Sequence, residues 1–249
     1  MDATYFKVRE NHRIISKAFM IAYGTNSYGN REILGFNIYP EESTNTWRDF
    51  LDSLKKRGLY GTLLVTSDAH GGIKAALQKE LPEAAWQRCQ FHFTKNIGEL
   101  TPKKYQAGLR AEVNELFQAK TMKEAIEKRD EILASYSEVA PRAMACLEEG
   151  FEDAMTVMVL PKGMRRFFRT SNHIERVNRE LKRRSDVIGV FPNETALMRL
   201  MGSTLMELNE KRQAGKAVFS HQSYEEMMKS DVPAELKRAA IRQINMAAA

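Results

Sequence analysis

The first part of the chain consists of short apolar segments separated by turn residues, which is the pattern of β-strands. The segments span residues 3–8, 14–22 and 32–39, and the stretches 24–26 and 28–30 contain the glycine and asparagine residues typical of turns. Consecutive strands joined by short connections usually pair antiparallel. We therefore predict a three-stranded antiparallel meander.

Between residues 43 and 86, segments with helical periodicity alternate with short apolar segments typical of strands. Ser43 offers an N-cap for a helix, the apolar strand 62–67 follows, and a helix over 72–81 leads to a strand through Trp86. The apolar positions of the first of these helices follow the i, i+3, i+4, i+7 spacing: Trp47, Phe50, Leu51 and Leu54. This order predicts a mixed α/β fold.

Long helical periodicity replaces this pattern between residues 102 and 160, and it predicts an all-α block. A further amphipathic helix begins near Ser171, and Pro192 precedes a last long helix, whereas the pattern beyond residue 215 is weak. We predict four parts of the chain: 1–100 and 166–212 as the two portions of an α/β core, 101–165 as a helical insertion and 213–249 as a C-terminal tail.

Composition places the chain among globular proteins. It has 249 residues with 43% hydrophobic content, enough for one sizeable core and a smaller helical subdomain. Without a long apolar run or a signal sequence at Met1, we expect no membrane partner and no export. Cys89 and Cys146 allow at most one disulfide, which favours a reducing cytoplasm.

Positive charge is concentrated in one segment. The formal net charge is +6, and between Lys162 and Arg184 the acids are only Glu175 and Glu180. The basic residues of this segment are Lys162, Arg165, Arg166, Arg169, Arg176, Arg179, Lys182, Arg183 and Arg184. Such a stripe favours a polyanionic partner.

Three carboxylates lie at predicted element ends, and each has an ordinary interpretation. Asp68 follows an apolar strand, Glu175 lies beside the apolar stripe of a helix, and Asp2 precedes the first strand. Taken alone, Glu175 would form a surface ion pair with Arg179, and Asp2 would be a terminal polar residue. Gathered together, the three would supply the oxygen ligands that Mg²⁺ prefers, and two such ions activate phosphodiesters.

Several blocks of this sequence resemble the Mutator-type DDE transposases of bacterial insertion sequences. They occur in the order of that family and extend from Asp2 to about Glu210. The blocks are 2–10 (DATYFKVRE), 67–72 (SDAHGG), 86–92 (WQRCQFH), and 171–176 (SNHIER) followed by 183–184 (RR) and 191–194 (FPNE).

The resemblance implies an RNase H-like core, a mixed five-stranded sheet with flanking helices, and an all-α insertion before the last acid. Asp2, Asp68 and Glu175 would be the catalytic residues and would bind two divalent ions, Mg²⁺ or alternatively Mn²⁺. We expect four arginines to hold the backbone phosphates of double-stranded DNA, both element ends and target: Arg176, Arg179, Arg183 and Arg184.

The Cys89-x-x-His92 pair has two interpretations. A zinc site is disfavoured because two ligands are too few for a tetrahedral structural site. The resemblance implies instead that Cys89 and His92 support the active site or nearby DNA. His70 and His173 flank two of the acids, and each could contact a phosphate or make ordinary hydrogen bonds.

The function expected from these observations is Mg²⁺-dependent cleavage of element ends and strand transfer of the 3′-hydroxyl into target DNA. Two alternatives stay open: an RNase H-like host nuclease, and a non-catalytic DNA-binding remnant. The family usually has a helical DNA-binding region before its core, so we expect weak or absent transposition from a chain that starts at Met1. We also expect a homo-oligomer on DNA and a cytoplasmic, nucleoid-associated location.

Overall fold

The computed structural model describes residues 1–213 and 215–248. The strands are β1 (Asp2–Glu10), β2 (Arg13–Thr25), β3 (Arg31–Tyr39), β4 (Leu64–Ser67) and β5 (Ala85–Arg88). The helices are α1 (Thr44–Lys56), α2 (Gly71–Glu80), α3 (Gln90–Glu99), α4 (Lys103–Leu116), α5 (Met122–Tyr136), α6 (Pro141–Met155), α7 (Lys162–Phe168), α8 (Asn172–Ser185), α9 (Glu194–Gln213), α10 (His221–Lys229) and α11 (Val232–Ala248), with a short 3-10 helix at Thr156–Val159.

The predicted antiparallel meander is confirmed. Strand β2 lies in the middle, with Asp2 of β1 opposite Ile21 and Ala18 opposite Tyr39 of β3. Residues 17–22 of β2 are all buried, because helices cover both faces of the sheet at this point. The sheet is therefore the middle layer of the core.

Each face of the meander packs against its own pair of helices. On one face, Phe6 and Phe19 contact the apolar stripes of α8 and α9, including Ile174 and Leu197. On the other face the contacts come from α1 and α2, where the Ser43 side chain accepts a hydrogen bond from Thr46 N as the predicted N-cap. The amphipathic helix α8 is thus held flat against the sheet that begins at Asp2.

Strands β4 and β5 form a separate parallel pair, so the five-stranded sheet implied by the resemblance is not observed within residues 1–213 and 215–248. A single hydrogen bond, from the Met1 ammonium to Thr66 O (3.0 Å), links the start of β1 to β4. One bond does not make a ladder. Farther along, β1 instead bonds to Phe191, which donates to Lys7 O (2.9 Å) and accepts from Arg9 N (2.8 Å).

The helical block predicted between the α/β segments is present as α4, α5 and α6. It has its own apolar cluster, centred on Leu109, Val113, Leu147 and Phe151. Helix α3 belongs to the same cluster through Phe93, so the packed unit begins before the predicted boundary at residue 101. The block therefore stands directly on the end of β5.

The C-terminal segment is more ordered than its weak periodicity predicts. Helices α10 and α11 pack with α7 and the β4–β5 pair, and Leu236 is fully buried there. Gln243 of α11 completes the open edge of β5: its Oε1 accepts from Trp86 N (2.9 Å), and its Nε2 donates to Trp86 O (2.7 Å). Ala214 and Ala249, which fall within the predicted tail, lie outside the described residues.

Across the part of the chain that the structure describes, none of the helices combines the length and apolarity needed to cross a membrane.

Candidate active site

The three predicted acids come from three different elements. Asp2 is the first residue of β1, Asp68 directly follows β4, and Glu175 lies in the first turn of α8. The sheet and helix packing described above brings the start of β1 against α8. Asp2 and Glu175 line the same open cleft of about 490 Å³, whereas Asp68 is not among its lining residues.

Asp2 is anchored by the acid-bearing helix. Its Oδ2 accepts a hydrogen bond from Asn178 Nδ2 (2.7 Å), and its Oδ1 accepts from Ala3 N (3.0 Å). Burial, the largest effect, and the charge of Asp68 raise the pKa of Asp2 to about 6, while the Met1 ammonium opposes them. A carboxylate held in this way is costly to ionise in the absence of a nearby cation.

Glu175 does not form the ion pair with Arg179 that its spacing suggests. Its Oε1 accepts from the Ser171 hydroxyl (3.1 Å) and lies 3.8 Å from His92 Nε2. The same hydroxyl lies 3.1 Å from Cys89 Sγ, and because it carries one proton it donates to only one of the two at a time. Glu175 is therefore connected to the Cys89–His92 pair.

Asp68 is half-buried at the end of β4 and beside the start of α2. Its Oδ1 accepts from His70 N (3.3 Å). The negative charge of Asp68 contributes to raising the pKa of both Asp2 and His92. Asp68 therefore acts electrostatically on Asp2, although it does not line the cleft that Asp2 shares with Glu175.

Cys89 and His92 form a coupled pair at the start of α3. Interaction with the Cys89 sulfur raises the pKa of His92 to about 9, with smaller contributions from the charges of Glu175 and Asp68. Burial raises the pKa of the Cys89 thiol, but interactions with His92 and the hydrogen bonds from Ser171 outweigh it, so the net pKa is lowered. The pair therefore favours an imidazolium next to Glu175 at neutral pH.

We expect this raised pKa to depend on the sulfur. A histidine with a raised folded-state pKa stabilises the protein fully below its unfolded pKa of about 6.5, and the contribution is lost as pH rises through about 9. In the variant Cys89→Ser, an NMR titration should show the pKa of His92 moving down towards its ordinary value. The matched control is Cys146→Ser, the other free cysteine, which should leave the titration unchanged; an unshifted His92 in Cys89→Ser would contradict the assignment.

Two sets of side chains could hold a cation. The oxygens of Asp2, Asp68 and Glu175 suit Mg²⁺ or Mn²⁺, and Asn178 Oδ1 beside Asp2 is buried without a hydrogen-bond partner. A cation would also offset the burial that disfavours the ionised form of Asp2. These residues fit a divalent ion with oxygen ligands.

The second set extends the Cys89-x-x-His92 pair considered for zinc in the sequence. Single ligand atoms of Cys89, His92 and Glu175 all lie within 4.8 Å of one another, so the structure adds a third candidate ligand to the pair. Sulfur and nitrogen donors suit borderline ions such as Zn²⁺ better than Mg²⁺. Because Glu175 belongs to both sets, the two kinds of site would compete for it.

The predicted DNA-binding arginines differ in their surroundings. Arg179 and Arg183 line the cleft together with Lys182, and Arg176 is exposed on the same helix. Arg183 and Arg184 both pair with Glu180, at 2.7 and 2.9 Å, and Arg184 also contacts Glu207 (3.2 Å). The cleft therefore has a basic rim, but two of the four arginines are partly neutralised within the protein.

Sequence reasoning missed the two polar residues that position the acids. Ser171 lies four residues before Glu175 and Asn178 three residues after it, so all three share one face of α8 and the turn before it. Asn178 is buried although polar, which is the signal that could have marked it. The contact to Asp2, however, spans 176 positions and has no local signature.

Comparison with known proteins gives a consistent result. The profile of the family described as "Transposase, Mutator family" matches residues 1–215. The transposase for insertion sequence element IS256 in transposon Tn4001 from Staphylococcus aureus is 41% identical over 212 residues, covering 84% of this chain and 54% of the relative. The transposase for insertion sequence element IS406 from Burkholderia multivorans is 37% identical over 221 residues, covering 88% and 57%.

A third relative, the transposase for insertion sequence element IS1081 from Mycobacterium tuberculosis, is 36% identical over 210 residues, covering 84% of this chain and 51% of the relative. The chain spans about half the length of the curated relatives it matches. The matched region contains all three acids, the Cys89–His92 pair and the basic helix α8. The chain described here belongs to the Mutator family of transposases.

Proposed function

We propose that this chain is the catalytic core of a DDE transposase, which cuts insertion-sequence DNA ends and transfers the resulting 3′-hydroxyl into target DNA. The observation that carries the proposal is the cleft shared by Asp2 and Glu175, with Arg179, Lys182 and Arg183 on its rim, while the charge of Asp68 contributes to raising the pKa of Asp2. Carboxylates that bind metal ions, next to basic side chains that bind the DNA backbone, suit cleavage of a phosphodiester.

The order of elements supports an RNase H-like arrangement of this core. Three antiparallel strands are followed by helix, strand, helix and strand, and the acids occupy the first strand, the end of the fourth strand and a late helix. This is the distribution that the family resemblance implies for Asp2, Asp68 and Glu175. The division into two small sheets is the point at which the arrangement departs from it.

Asp2, Asp68 and Glu175 would hold two divalent ions, Mg²⁺ or Mn²⁺. The chemistry that these ions supply when bound is activation of a water or 3′-hydroxyl and stabilisation of charge on the phosphate. Asn178 would keep Asp2 pointing into the site through its 2.7 Å hydrogen bond. Ser171 and the His92 imidazolium would orient Glu175.

The basic residues of α8 would position the DNA. Arg179 and Lys182 line the cleft without a salt bridge within the described ranges 1–213 and 215–248. Contacts to phosphate oxygens position a duplex without reading its sequence. We propose double-stranded DNA as the partner, and assembly of a homo-oligomer on paired ends.

A strand-transfer assay tests the proposal. The purified chain is incubated with a labelled duplex that carries a free 3′-hydroxyl and with supercoiled plasmid, in Mg²⁺, Mn²⁺ or EDTA. We expect metal-dependent nicking and a labelled plasmid product. Asp68→Asn should reduce both by more than about 100-fold, because even groups that only orient metal ligands contribute about 10- to 100-fold.

The matched control is Asp130→Asn, which removes an exposed carboxylate of α5 that accepts hydrogen bonds from neighbouring Arg129. It should leave nicking and joining unchanged. Nicking without joining would favour a host nuclease, and DNA binding without either reaction would favour a non-catalytic remnant. Full activity of Asp68→Asn would refute the assigned site.

A further inference from the structure

Three different kinds of metal ligand meet at the start of α3. The Cys89 sulfur, a ring nitrogen of His92 and a carboxylate oxygen of Glu175 all lie within 4.8 Å of one another. His92 Nε2 is 3.8 Å from Glu175 Oε1. In a tetrahedral site with bonds of about 2.0–2.3 Å, neighbouring donor atoms lie roughly 3.3–3.8 Å apart. The three side chains would therefore need to close by no more than about 1.5 Å to bind one ion.

The surrounding backbone holds Cys89 in place. Cys89 is the N-cap residue of α3, and its N–H donates to Ser67 O (2.8 Å) at the end of β4. Its Sγ accepts a hydrogen bond from Ser171 N (3.3 Å) and lies 3.1 Å from the Ser171 hydroxyl. Hydrogen-bond donors and a helix N-terminus both stabilise a thiolate, which is the form of cysteine that binds metal ions. The sulfur is therefore held in a form that can bind a cation.

The polar atoms of His92 and Glu175 are not fully satisfied by the protein. His92 Nδ1 is buried without a hydrogen-bond partner, and the 3.8 Å between its Nε2 and Glu175 Oε1 exceeds the length of a hydrogen bond. Within residues 1–213 and 215–248, Glu175 bonds to the Ser171 hydroxyl and pairs with no lysine or arginine. In a purely structural cluster such atoms are normally satisfied by the protein itself. A cation bound between the two side chains would supply the missing partner.

A cation can also reach this cluster. The side chains of His92 and Glu175 are 28% and 25% exposed, whereas Cys89 is buried. Glu175 in addition lines the cleft that contains Asp2. The charges of Glu175 and Asp68 both contribute to the raised pKa of His92, so the local field favours positive charge at this place. The cluster is therefore open to a cation on the side of the candidate active site.

The donor atoms select the class of ion. Thiolate sulfur and imidazole nitrogen suit Zn²⁺ and related transition metals, whereas Mg²⁺ prefers oxygen ligands in an octahedron. Three protein ligands leave one tetrahedral position for a water molecule. A site of this composition should bind Zn²⁺ far more tightly than Mg²⁺. Glu175 is the shared residue, because the proposed Mg²⁺ site needs the same carboxylate.

We propose that Cys89, His92 and Glu175 form a Zn²⁺ site that inactivates the proposed transposase by withdrawing Glu175 from the Mg²⁺ site. The inhibitory role rests on the proposed function, because it takes Glu175 to be needed for cleavage. Binding itself requires only the three donor atoms. Zn²⁺ would therefore inhibit at concentrations far below those at which Mg²⁺ supports the reaction. The chain would cut DNA only where little Zn²⁺ is available.

Titration with Co²⁺ tests the site directly, because Co²⁺ takes the place of Zn²⁺ and its bond to a thiolate gives a charge-transfer absorption band. The tag-free chain is titrated without DNA or Mg²⁺, and Zn²⁺ is then added. We expect a thiolate band that saturates at one Co²⁺ per chain and disappears with Zn²⁺. Cys89→Ser should lose the band and bind at least ~100-fold more weakly, since even outer-shell partners of a metal contribute about 10- to 100-fold. The matched control is Cys146→Ser, the other free cysteine, which should keep both the band and the affinity.

The other two ligands are tested in the same titration. Glu175→Gln should weaken Co²⁺ binding at least ~10-fold, whereas Glu127→Gln, which removes an exposed carboxylate of α5, should leave it unchanged. His92→Gln should weaken binding to the same degree, and it takes the place of Cys89→Ser if circular dichroism shows that the serine variant does not fold. A thiolate band that is absent from the parent chain, persists in Cys89→Ser or ignores Glu175→Gln would overturn the proposal.

Inhibition is measured in the plasmid-nicking assay. With Mg²⁺ in large excess, about one equivalent of Zn²⁺ per chain should reduce nicking by the parent chain and by Cys146→Ser at least ~10-fold, and a zinc chelator should restore it. Undiminished nicking by the Zn²⁺-loaded chain would overturn the inhibitory role.

The outcome is separable from that of the proposed function. No nicking in Mg²⁺ alone would reject the proposed function and with it the inhibitory role, while the Co²⁺ spectra still decide whether the three side chains bind metal. Nicking that is lost in Asp68→Asn, from a chain that shows no cobalt–thiolate band, would keep the proposed function and reject the zinc site.

Discussion

Asp2→Asn is expected to abolish DNA cleavage and to make the folded protein more stable at neutral pH. Cleavage should fall below about 1% of the parent rate, because the proposed metal site loses one of three carboxylates. Stability should rise because burial and Asp68 oppose the charge of Asp2 in the folded state. Substitutions at a purely structural site usually lower the free energy of unfolding.

The stability of the folded protein depends on pH because the pKa of Asp2 is raised on folding. The pKa of Asp2 is raised from 3.8 to about 6, so the folded state binds the proton more tightly than the unfolded state does. The stability contributed by protonated Asp2 is fully present below about pH 4 and is lost as pH rises through about 6. A shift of about two units corresponds to at most roughly 3 kcal/mol at neutral pH.

The substitution Asp2→Asn can keep the hydrogen bond between positions 2 and 178, but it leaves Asn178 Nδ2 in the buried position where Oδ1 now lies without a partner. Asn178 Oδ1 has no partner, so a turn of the Asn178 amide would let it accept from the amide introduced at position 2. Urea unfolding at pH 7.5 and pH 4 should give a stability gain that shrinks at the lower pH, while DNA binding stays at the parent level. Retained cleavage, or a loss of stability at both pH values, would argue against Asp2 as a metal ligand.

Gln243→Met is expected to destabilise the fold by roughly 3–5 kcal/mol, a large part of the typical stability of a domain. Methionine has a similar length, so the packing of α11 is preserved while the hydrogen bonds are lost. Trp86 N and O would then be buried without partners, and Asp153 Oδ1 would lose a 2.8 Å hydrogen bond. Chemical unfolding followed by tryptophan fluorescence measures the change, because Trp86 is itself the affected residue.

The matched control for this prediction is Gln222→Met on α10. Gln222 is exposed and its amide donates to Glu226 Oε1 (2.9 Å) at the surface, so its loss should change stability by less than about 0.5 kcal/mol. Equal effects of the two substitutions would show that Gln243 does not complete the edge of β5.

Secondary structure is predicted best where the hydrophobic periodicity of a single strand or helix is clear in the sequence. The meander and helix α1 follow from alternation and from the Ser43 cap, and both are confirmed. The weak pattern after residue 215 is misleading, because the buried face of α11 consists of Leu236 with the small Ala239 and Ala240 and the polar Gln243, which do not stand out as an apolar stripe in the sequence. The five-stranded sheet, in contrast, is implied by the family resemblance, and the pairing of β1 with β4 that it needs is represented in the described residues by the Met1–Thr66 hydrogen bond.

The acids of the candidate site could be predicted from the sequence, but the residues that hydrogen-bond to them, Ser171 and Asn178, could not. Asp68 and Glu175 stand at an element end and beside a stripe, positions that a pattern can mark, and the family motifs supply Asp2. Arg31 lies on β3 and Arg212 on α9, outside the basic stripe of α8, yet after folding the charge of Arg212 helps to lower the pKa of Arg31. Charge that is clustered by folding, and not by sequence, is invisible before the fold is known.

The contact between Asp2 and Asn178 has a consequence for protein synthesis. The two residues are separated by 176 positions, with the whole helical block between them. Asp2 leaves the ribosome well before its partner, which is made only after α4, α5 and α6. An unfinished chain therefore carries the first acid without the helix that holds it, and the proposed capacity to cut DNA arises only once translation has passed Asn178.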